Sequence, residues 1–340
     1  MNPSSLANPT VCALCGGVSR RVYEGMSGYV EGTRYDVYEC SACLSSHVDP
    51  MSNLEEEYDV IYGKDNKEDA VYKYYYYLAE GVKHIRNPLK ALFSYTAIYW
   101  GVKEAFRSIS LPSQASVLEV GSGLGYFTYA LHAAGYRAHG VEYSSTATAF
   151  AKNYFGDLYT QGTIEEYAKM HPSSYDVIVA TEVIEHVVDP VSFISACALA
   201  LKPGGRIIIT TPNKDVHPQG TIWETDHAPK HLWWFSKQGI SEIAKRAGAT
   251  CDFVDFTDYK KQNRYTLPVG VAGASPDKAP VVDSLGGALH KEQIGYKVKL
   301  MRTIPAWAYI YLVGLYHKCA LSRSTPENGD MYSICAIITK

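Results

Sequence analysis

Short apolar runs rich in β-branched residues alternate with longer amphipathic stretches from residue 116 onward. The runs predict five buried strands, at 116–120, 137–142, 157–161, 175–181 and 205–211. Between them, apolar residues recur at helical spacing over 126–135, 145–156 and 190–201. Buried strands that alternate with helices are typical of a doubly wound parallel sheet that is covered on both faces. We therefore predict an α/β fold, with sixth and seventh strands within 249–260 and 331–340.

Three glycines follow the first predicted strand at alternate positions. Gly121, Gly123 and Gly125 lie where the carboxyl ends of parallel strands form ligand sites, and a glycine places no side chain between the backbone and a ligand. Their spacing differs from the GxGxxG of dinucleotide-binding proteins, so a dehydrogenase is the disfavoured alternative. Glu119 precedes the turn. Glu142 closes the second strand, where a carboxylate can accept hydrogen bonds from both hydroxyls of a ribose.

The glycine turn, Glu142, the segment EVIEHV at 182–187 and the turn LKPGG at 201–205 occur in an order that resembles the class I S-adenosylmethionine-dependent methyltransferases. The resemblance covers 117–213. It implies a seven-stranded, Rossmann-like sheet whose last strand is antiparallel. It also implies that the glycines wrap the methionine part of the cofactor, that Glu119 lies near its amino group, and that 162–164 frame the adenine. The implied cofactor-binding residues are Glu119, Gly121, Ser122, Gly123, Gly125, Glu142, Tyr143, Thr163, Ile164 and Thr181.

Candidate catalytic residues follow the fourth and fifth strands. Methyl transfer from a sulfonium is an in-line displacement, so the protein must align the acceptor and, for a hydroxyl, remove its proton. The segment EVIEHV resembles those of ubiquinone-pathway O-methyltransferases and small-RNA 3′-end ribose methyltransferases. That likeness implies Mg²⁺ or another divalent ion on Glu182, Glu185, His186 and His231. The alternative needs no metal and uses His186 or His231 as general base; His227 is a further histidine in this region.

Four of the eight cysteines form two CxxC pairs near the N-terminus, Cys12 with Cys15 and Cys40 with Cys43. Two such knuckles joined by a hairpin are typical of a zinc ribbon, since four thiolates fill the tetrahedral coordination of the ion. We therefore expect a structural Zn²⁺. Free thiols or two disulfides are the alternative, disfavoured because we find no secretion signal.

A four-cysteine unit beside this domain also resembles bacterial sugar C-methyltransferases and related enzymes of glycan and natural-product biosynthesis. Those C-methyltransferases have a further large C-terminal domain, for which we find no room in this sequence. We therefore expect O-methylation of a small-molecule acceptor, a sugar-like or phenolic hydroxyl. Sugar C-methylation, RNA ribose methylation and a non-catalytic scaffold that retains the cofactor fold are the alternatives.

The composition of the chain limits the classes of partner that we expect it to bind. The chain has 340 residues, with 32 Lys and Arg against 35 Asp and Glu, which gives a formal net charge of -3. This balance predicts no DNA partner and disfavours RNA. We find no signal peptide in residues 1–10 and expect a cytoplasmic protein. The apolar segment 304–316 is too short to span a membrane. It could rest on a membrane surface, but we favour its burial against neighbouring helices.

The domain organisation follows from these patterns. We predict a zinc ribbon over 1–53, a helical cap over 54–110 and the methyltransferase core over 111–260, with an insertion that acts as a lid over 261–330 and the last strand of the core over 331–340. The pattern leaves the oligomeric state open.

Overall fold

A computed structural model describes residues 10–51, 70–217, 220, 228–263, 280, 283, 304–310, 312 and 331–340. The strands in these ranges form two sheets. In chain order they are β1 (Thr10–Val11), β2 (Val18–Ser27), β3 (Arg34–Cys40), β4 (Ser46–Asp49), β5 (Ser116–Val120), β6 (Arg137–Glu142), β7 (Tyr159–Gln161), β8 (Tyr175–Thr181), β9 (Leu201–Pro212), β10 (Trp233–Trp234), β11 (Thr250–Phe253) and β12 (Ser333–Thr339).

The larger sheet has the strand order β11, β12, β9, β8, β5, β6, β7 within the described ranges. β7, β6, β5, β8 and β9 run parallel, while β12 lies antiparallel between β9 and β11. Chain order reverses at β5, so the glycine turn that follows it lies at the topological switch point, where α/β sheets bind ligands. The doubly wound seven-stranded sheet with an antiparallel last strand is therefore confirmed.

Helices cover both faces of this sheet. They are α1 (Ala70–Val82), α2 (Pro88–Phe93), α3 (Ala97–Ser108), α4 (Tyr126–Ala133), α5 (Ser145–Phe155), α6 (Ile164–Met170), α7 (Pro190–Ala200), α8 (Lys237–Arg246) and α9 (Thr257–Asn263). Several begin at a residue whose side chain accepts from a free backbone N–H, as Ser144 does from Ala147 and Ser236 does from Gly239. The pattern did not predict α6. It also did not predict α9, which begins inside the stretch assigned to the sixth strand and ends beyond it.

The smaller sheet has the order β1, β2, β3, β4, β10. Its first four strands form the predicted hairpin unit around the cysteines. Its fifth strand, Trp233–Trp234, comes from the connection between β9 and α8, and pairs antiparallel with β4. Buried side chains from both sheets, such as Val37 of β3 and Ile178 of β8, belong to one continuous hydrophobic core. The N-terminal unit and the α/β domain are therefore fused along a strand. The predicted domain boundaries themselves stay a prediction.

Helices α1 to α3 cover the other face of the large sheet together with part of the insertion. The Tyr77 ring packs edge-on against Tyr309, 5.7 Å between centroids, and Tyr309 and Ile310 are buried in the same core as Leu78. The expected burial of the late apolar segment is thus confirmed for Tyr309 and Ile310, whereas Trp307 is 46% exposed. Most of the predicted lid lies outside the described residues. Within the described ranges, helices of the length and apolarity required to cross a bilayer are absent.

Candidate functional site

The glycine turn after β5 combines tight packing with one open position. All three glycines have positive φ, +71° at Gly121, +50° at Gly123 and +82° at Gly125, a region that other residues rarely adopt. A Cβ at Gly121 would lie 2.5 Å from Val183, and one at Gly125 would lie 2.6 Å from the Tyr159 ring. A Cβ at Gly123 would meet nothing within 4 Å. Gly121 and Gly125 are therefore required by packing, whereas Gly123 faces open space.

Glu142, at the end of β6, is bonded to this turn. One carboxylate oxygen accepts from Gly123 N at 2.7 Å and the other accepts from Ser144 N at 2.8 Å. Burial raises the pKa of this carboxyl, although both backbone bonds favour its charged form. Each oxygen retains acceptor capacity, since a carboxylate can accept about four hydrogen bonds in all. The group is therefore oriented beside the turn and able to bind a diol.

Glu119 lies on β5, under the turn. Its side chain is 3% exposed and accepts a short hydrogen bond from the Thr128 hydroxyl. Burial raises the pKa of Glu119 to about 8, which the Thr128 bond only partly offsets. Its carboxyl is consequently protonated at neutral pH unless a cation approaches it. The sequence identified this residue but not its protonation state.

The other predicted cofactor-binding residues surround the same edge of the sheet. Ser122 is buried, Tyr143 is exposed after β6, and Thr181 ends β8 beside Thr210. Thr163 accepts from Glu166 N as the N-cap of α6, and Ile164 is buried behind it. These contacts locate the residues at the carboxyl ends of the strands. Their roles in cofactor binding stay a prediction.

A second group of polar residues follows β8. Glu182 has a φ of +55°, a conformation that costs about 1–2 kcal/mol for a residue other than glycine. Val183, the next residue, is the one that packs against Gly121. Strained backbone concentrates at functional sites, so this turn is a candidate acceptor site directly adjacent to the cofactor turn.

Glu185 and His186 are fixed by β9 and by the chain that follows it. Glu185 is 1% exposed, its Oε2 accepts from the Thr211 hydroxyl at 2.9 Å, and its carbonyl oxygen accepts from Leu232 N at 2.9 Å. His186 makes a short hydrogen bond through Nδ1 to the Lys230 carbonyl oxygen. A carbonyl oxygen can only accept, so Nδ1 is the donor. In a neutral imidazole Nε2 is then the unprotonated nitrogen, with its lone pair in the plane of the ring.

That lone pair faces a compact cluster. His186 Nε2 lies 3.9 Å from Glu185 Oε1, and the rings of His186 and His231 lie edge to face with 4.7 Å between centroids. Ligand atoms of these three residues all lie within 4.8 Å of one another. The fourth predicted metal ligand, Glu182, is outside this group; its amide N donates to the Thr210 carbonyl at 3.0 Å. His227 lies outside the described residues.

The four cysteines of the N-terminal unit converge on one point. Cys12 Sγ is 3.8 Å from Cys43 Sγ, Cys15 Sγ is 3.5 Å from Cys40 Sγ, and all four sulfurs lie within 4.8 Å of one another. Zn–S bonds of 2.3 Å at tetrahedral angles require S···S separations of about 3.8 Å. All four are free thiols, so the disulfide alternative is wrong, and the cluster has the dimensions of a zinc site.

Two features of the site were missed by sequence reasoning. Thr211 holds the Glu185 carboxylate across 26 residues of chain, and Glu39 of the N-terminal unit pairs with buried Lys214 at 2.6 Å. Neither contact has a local pattern that could reveal it. Each joins a strand residue to a residue outside the strands that is its neighbour only in the folded chain.

Comparison with known proteins agrees with this geometry. The chain matches a family described as a methyltransferase domain over residues 100–252. It is 36% identical over 175 residues to the ubiquinone biosynthesis O-methyltransferase of Klebsiella pneumoniae (strain 342), covering 49% of this chain and 71% of that protein. It is 35% identical over 105 residues to the protein of the same name from Sodalis glossinidius, covering 29% of this chain but only 42% of that relative.

Solved structures of low sequence identity also align. A SAM-dependent methyltransferase from Archaeoglobus fulgidus is 15% identical with a TM-score of 0.40, and the alignment covers 70% of this chain and 93% of that one. An S-adenosylmethionine-dependent methyltransferase from Mesorhizobium loti is 13% identical with a TM-score of 0.40, covering 70% and 96%.

Proposed function

This chain belongs to the S-adenosylmethionine-dependent methyltransferases, and on that premise we propose that it methylates a hydroxyl oxygen of a small molecule. The cofactor supplies an electrophilic methyl group on a sulfonium. The observation that carries the proposal is the pair of adjoining turns after β5 and β8, in contact through Gly121 and Val183. One turn has the features of a cofactor site, and the other has a base.

The cofactor half of the proposal rests on Gly123, Glu142 and Glu119. Open space at Gly123 lets a ligand approach the backbone. The oriented carboxylate of Glu142 suits the two hydroxyls of a ribose, as family resemblance implies. Glu119, buried under the same turn, would become a carboxylate when it faces the ammonium group of the cofactor.

The acceptor half rests on the histidine cluster. With Nδ1 donating to Lys230, His186 Nε2 can accept the proton of an acceptor hydroxyl. His231, buried against it, either orients that hydroxyl or shares its proton. Removing the proton makes the oxygen a better nucleophile for in-line attack, and general-base catalysis of this kind contributes about 10²–10⁴-fold.

Glu185, His186 and His231 also fit a divalent ion. One carboxylate and two imidazoles can bind first-row divalent metals and Mg²⁺, with affinities that differ from metal to metal. An ion held there would orient a hydroxyl and lower its pKa. Because the Thr211 bond fixes Glu185 and the Lys230 bond fixes His186, both ligands are held by hydrogen-bonded neighbours, as metal ligands usually are.

We propose a phenolic or sugar-like hydroxyl as the acceptor and a structural Zn²⁺ on the four cysteines. The relatives are named as O-methyltransferases of ubiquinone biosynthesis, which favours oxygen over carbon. The cysteine separations support zinc. Four thiolates leave no open coordination position, so this ion would have no part in the chemistry.

The test is titration calorimetry with S-adenosylhomocysteine, with elemental metal content measured on the same sample. Binding with one zinc per chain supports both assignments, and absence of binding to folded protein contradicts the cofactor assignment. Methyl transfer is then assayed before and after treatment with EDTA. The acceptors tested are catechols, free sugars and RNA oligonucleotides. His186→Gln and His231→Gln should each lower turnover by at least about 10²-fold without weakening cofactor binding. His132→Gln, an exposed histidine on α4, is the control.

A further inference from the structure

We propose that the four-cysteine unit is a positioning element for the Glu185–His186–His231 cluster, which it holds through the segment 230–236. The inference rests on the proposed function for the meaning of that cluster. The contact chain itself can be tested independently of activity. The cysteine knuckles contact segment 230–236, and this segment contacts the histidine cluster. Hydrogen bonds join the parts at both boundaries.

The first boundary joins the cysteine unit to segment 230–236. Trp233 pairs with His47 and Trp234 with Ser46 in the antiparallel ladder between β10 and β4, and Val48 N donates to the Leu232 carbonyl at 3.1 Å. The His47 ring also packs on Trp233, 5.4 Å between centroids. β4 begins three residues after Cys43. The position of segment 230–236 therefore follows directly from the position of the second knuckle.

The second boundary joins the same segment to the cluster. Leu232 N donates to the Glu185 carbonyl at 2.9 Å, Trp233 Nε1 donates to the Val187 carbonyl at 3.0 Å, and the Lys230 carbonyl accepts from His186. His231 is itself a member of the segment. Segment 230–236 thus contacts both β4 of the cysteine unit and residues 185–187. A displacement of β4 must move His231 relative to His186, or break these bonds.

The knuckle is also anchored to the helix that follows the segment. The Ser236 hydroxyl donates a short hydrogen bond to the Cys43 carbonyl, and Ser236 N donates to Ser45 Oγ at 3.1 Å. Arg246, at the end of α8, donates to the Leu14 carbonyl of the first knuckle at 3.1 Å. Both knuckles are consequently bonded to α8, whose first residue directly follows the segment.

A buried ion pair fixes the other end of this connection. Lys214 is 4% exposed, and its Nζ lies 2.6 Å from Glu39 Oε2 on β3. Glu39 Oε2 also accepts from Gly220 N at 3.0 Å, and Glu39 directly precedes Cys40. Both the start and the end of the chain between β9 and α8 therefore contact the cysteine unit. Binding of zinc, by fixing both knuckles, would restrict the described residues at both ends of this chain, 213–217 and 228–236.

The experiment is hydrogen–deuterium exchange on the full chain, with zinc bound and after its removal by a chelator. We expect faster exchange on zinc removal in peptides covering 46–49, 230–236 and 185–187, with no change in 116–120 at the centre of the large sheet. Zinc added back should restore protection. Unchanged exchange at 230–236 and 185–187, while 12–43 loses protection, would overturn the proposal. So would a folded protein that binds no zinc.

A pair of matched variants tests the connection without disturbing the cysteines. Ser45→Ala removes the two hydrogen bonds between Ser45 and Ser236. The Ser236 hydroxyl still accepts its capping bond from Gly239 N. Ser19→Ala makes the same change at an equally buried serine of β2, whose hydroxyl has no hydrogen bond to the described residues. With zinc bound, Ser45→Ala should exchange at least about fivefold faster at 230–236 and 185–187, because one lost hydrogen bond of ordinary strength gives about that factor and two are removed here.

Ser19→Ala should exchange like wild type in the same peptides; equal effects in the two variants would refute the connection. Titration with S-adenosylhomocysteine separates this result from the proposed function. Loss of coupling with intact ligand binding overturns only the positioning role. Absent ligand binding with intact coupling overturns only the function.

Discussion

S-adenosylhomocysteine should bind about tenfold more tightly at pH 7 than at pH 6, because Glu119 must lose a proton to pair with the amino group of the ligand. The pKa of this buried carboxyl is about 8 in the free protein, so the group is protonated at both pH values. In the complex the facing ammonium favours the carboxylate. Each binding event then releases close to one proton, and affinity rises with pH until it levels off near pH 8.

The assay is titration calorimetry at pH 6 and pH 7, repeated at pH 7 in buffers with different ionisation enthalpies. A pKa of about 8 predicts release of about 0.9 protons per ligand at pH 7. The α-amino group of the ligand titrates near pH ~8 and is about nine-tenths charged at pH 7, so it reduces the proton release there by only about 0.1.

Glu119→Gln is the matched control, because glutamine has nearly the same shape but cannot ionise. Its affinity should be the same at pH 6 and pH 7 and fall progressively below that of wild type as the pH rises. If wild-type protein binds equally at both pH values and releases no proton, then Glu119 either keeps its proton or does not face the ligand. Either explanation would contradict the pairing of Glu119 with the amino group of the ligand.

The same burial affects the free protein. The pKa of Glu119 rises from 4.5 to about 8 on folding, so the folded state holds the proton more tightly than the unfolded state. Its contribution to the free energy of unfolding is therefore greatest below pH 4.5 and is lost between pH 4.5 and 8. Glu119→Gln should remove that loss, and thermal unfolding of the ligand-free protein between pH 6 and 8 checks the sign.

Three further predictions follow from the contacts. Gly123→Val should abolish S-adenosylhomocysteine binding in calorimetry, whereas Gly204→Val, also at positive φ with open space around it, should bind normally; equal affinity in both would refute the open approach at Gly123. Cys40→Ser should purify without a full equivalent of zinc in elemental analysis. Lys214→Met leaves Glu39 buried without its cation and should lower the free energy of unfolding by about 3 kcal/mol in denaturant titration; a change below about 1 kcal/mol would contradict that assignment.

Local pattern was sufficient for most of the large sheet. The runs at 116–120, 137–142 and 175–181 match β5, β6 and β8 residue for residue, since strands buried on both faces show as continuous apolar runs. The sixth strand was predicted too long. It ends at Phe253, and the Asp255 side chain accepts from Thr257 N at 2.8 Å, which starts α9. A side chain that binds the backbone two residues on competes with strand pairing, and that effect is easily missed beside an apolar run.

The amino-acid order alone was enough to establish the chemistry of single residues and their local spacing. Two CxxC pairs, three alternate glycines and the segment EVIEHV are each short enough to be recognised without knowing what they pack against. Three other features could be assigned only from the folded chain: the proton on Glu119, the tautomer of His186, and the strand pairing between the cysteine unit and the α/β domain. Burial, the Lys230 carbonyl and the pairing of β4 with β10 set these three. Each depends on residues far apart in the chain, and folding alone brings those residues into contact.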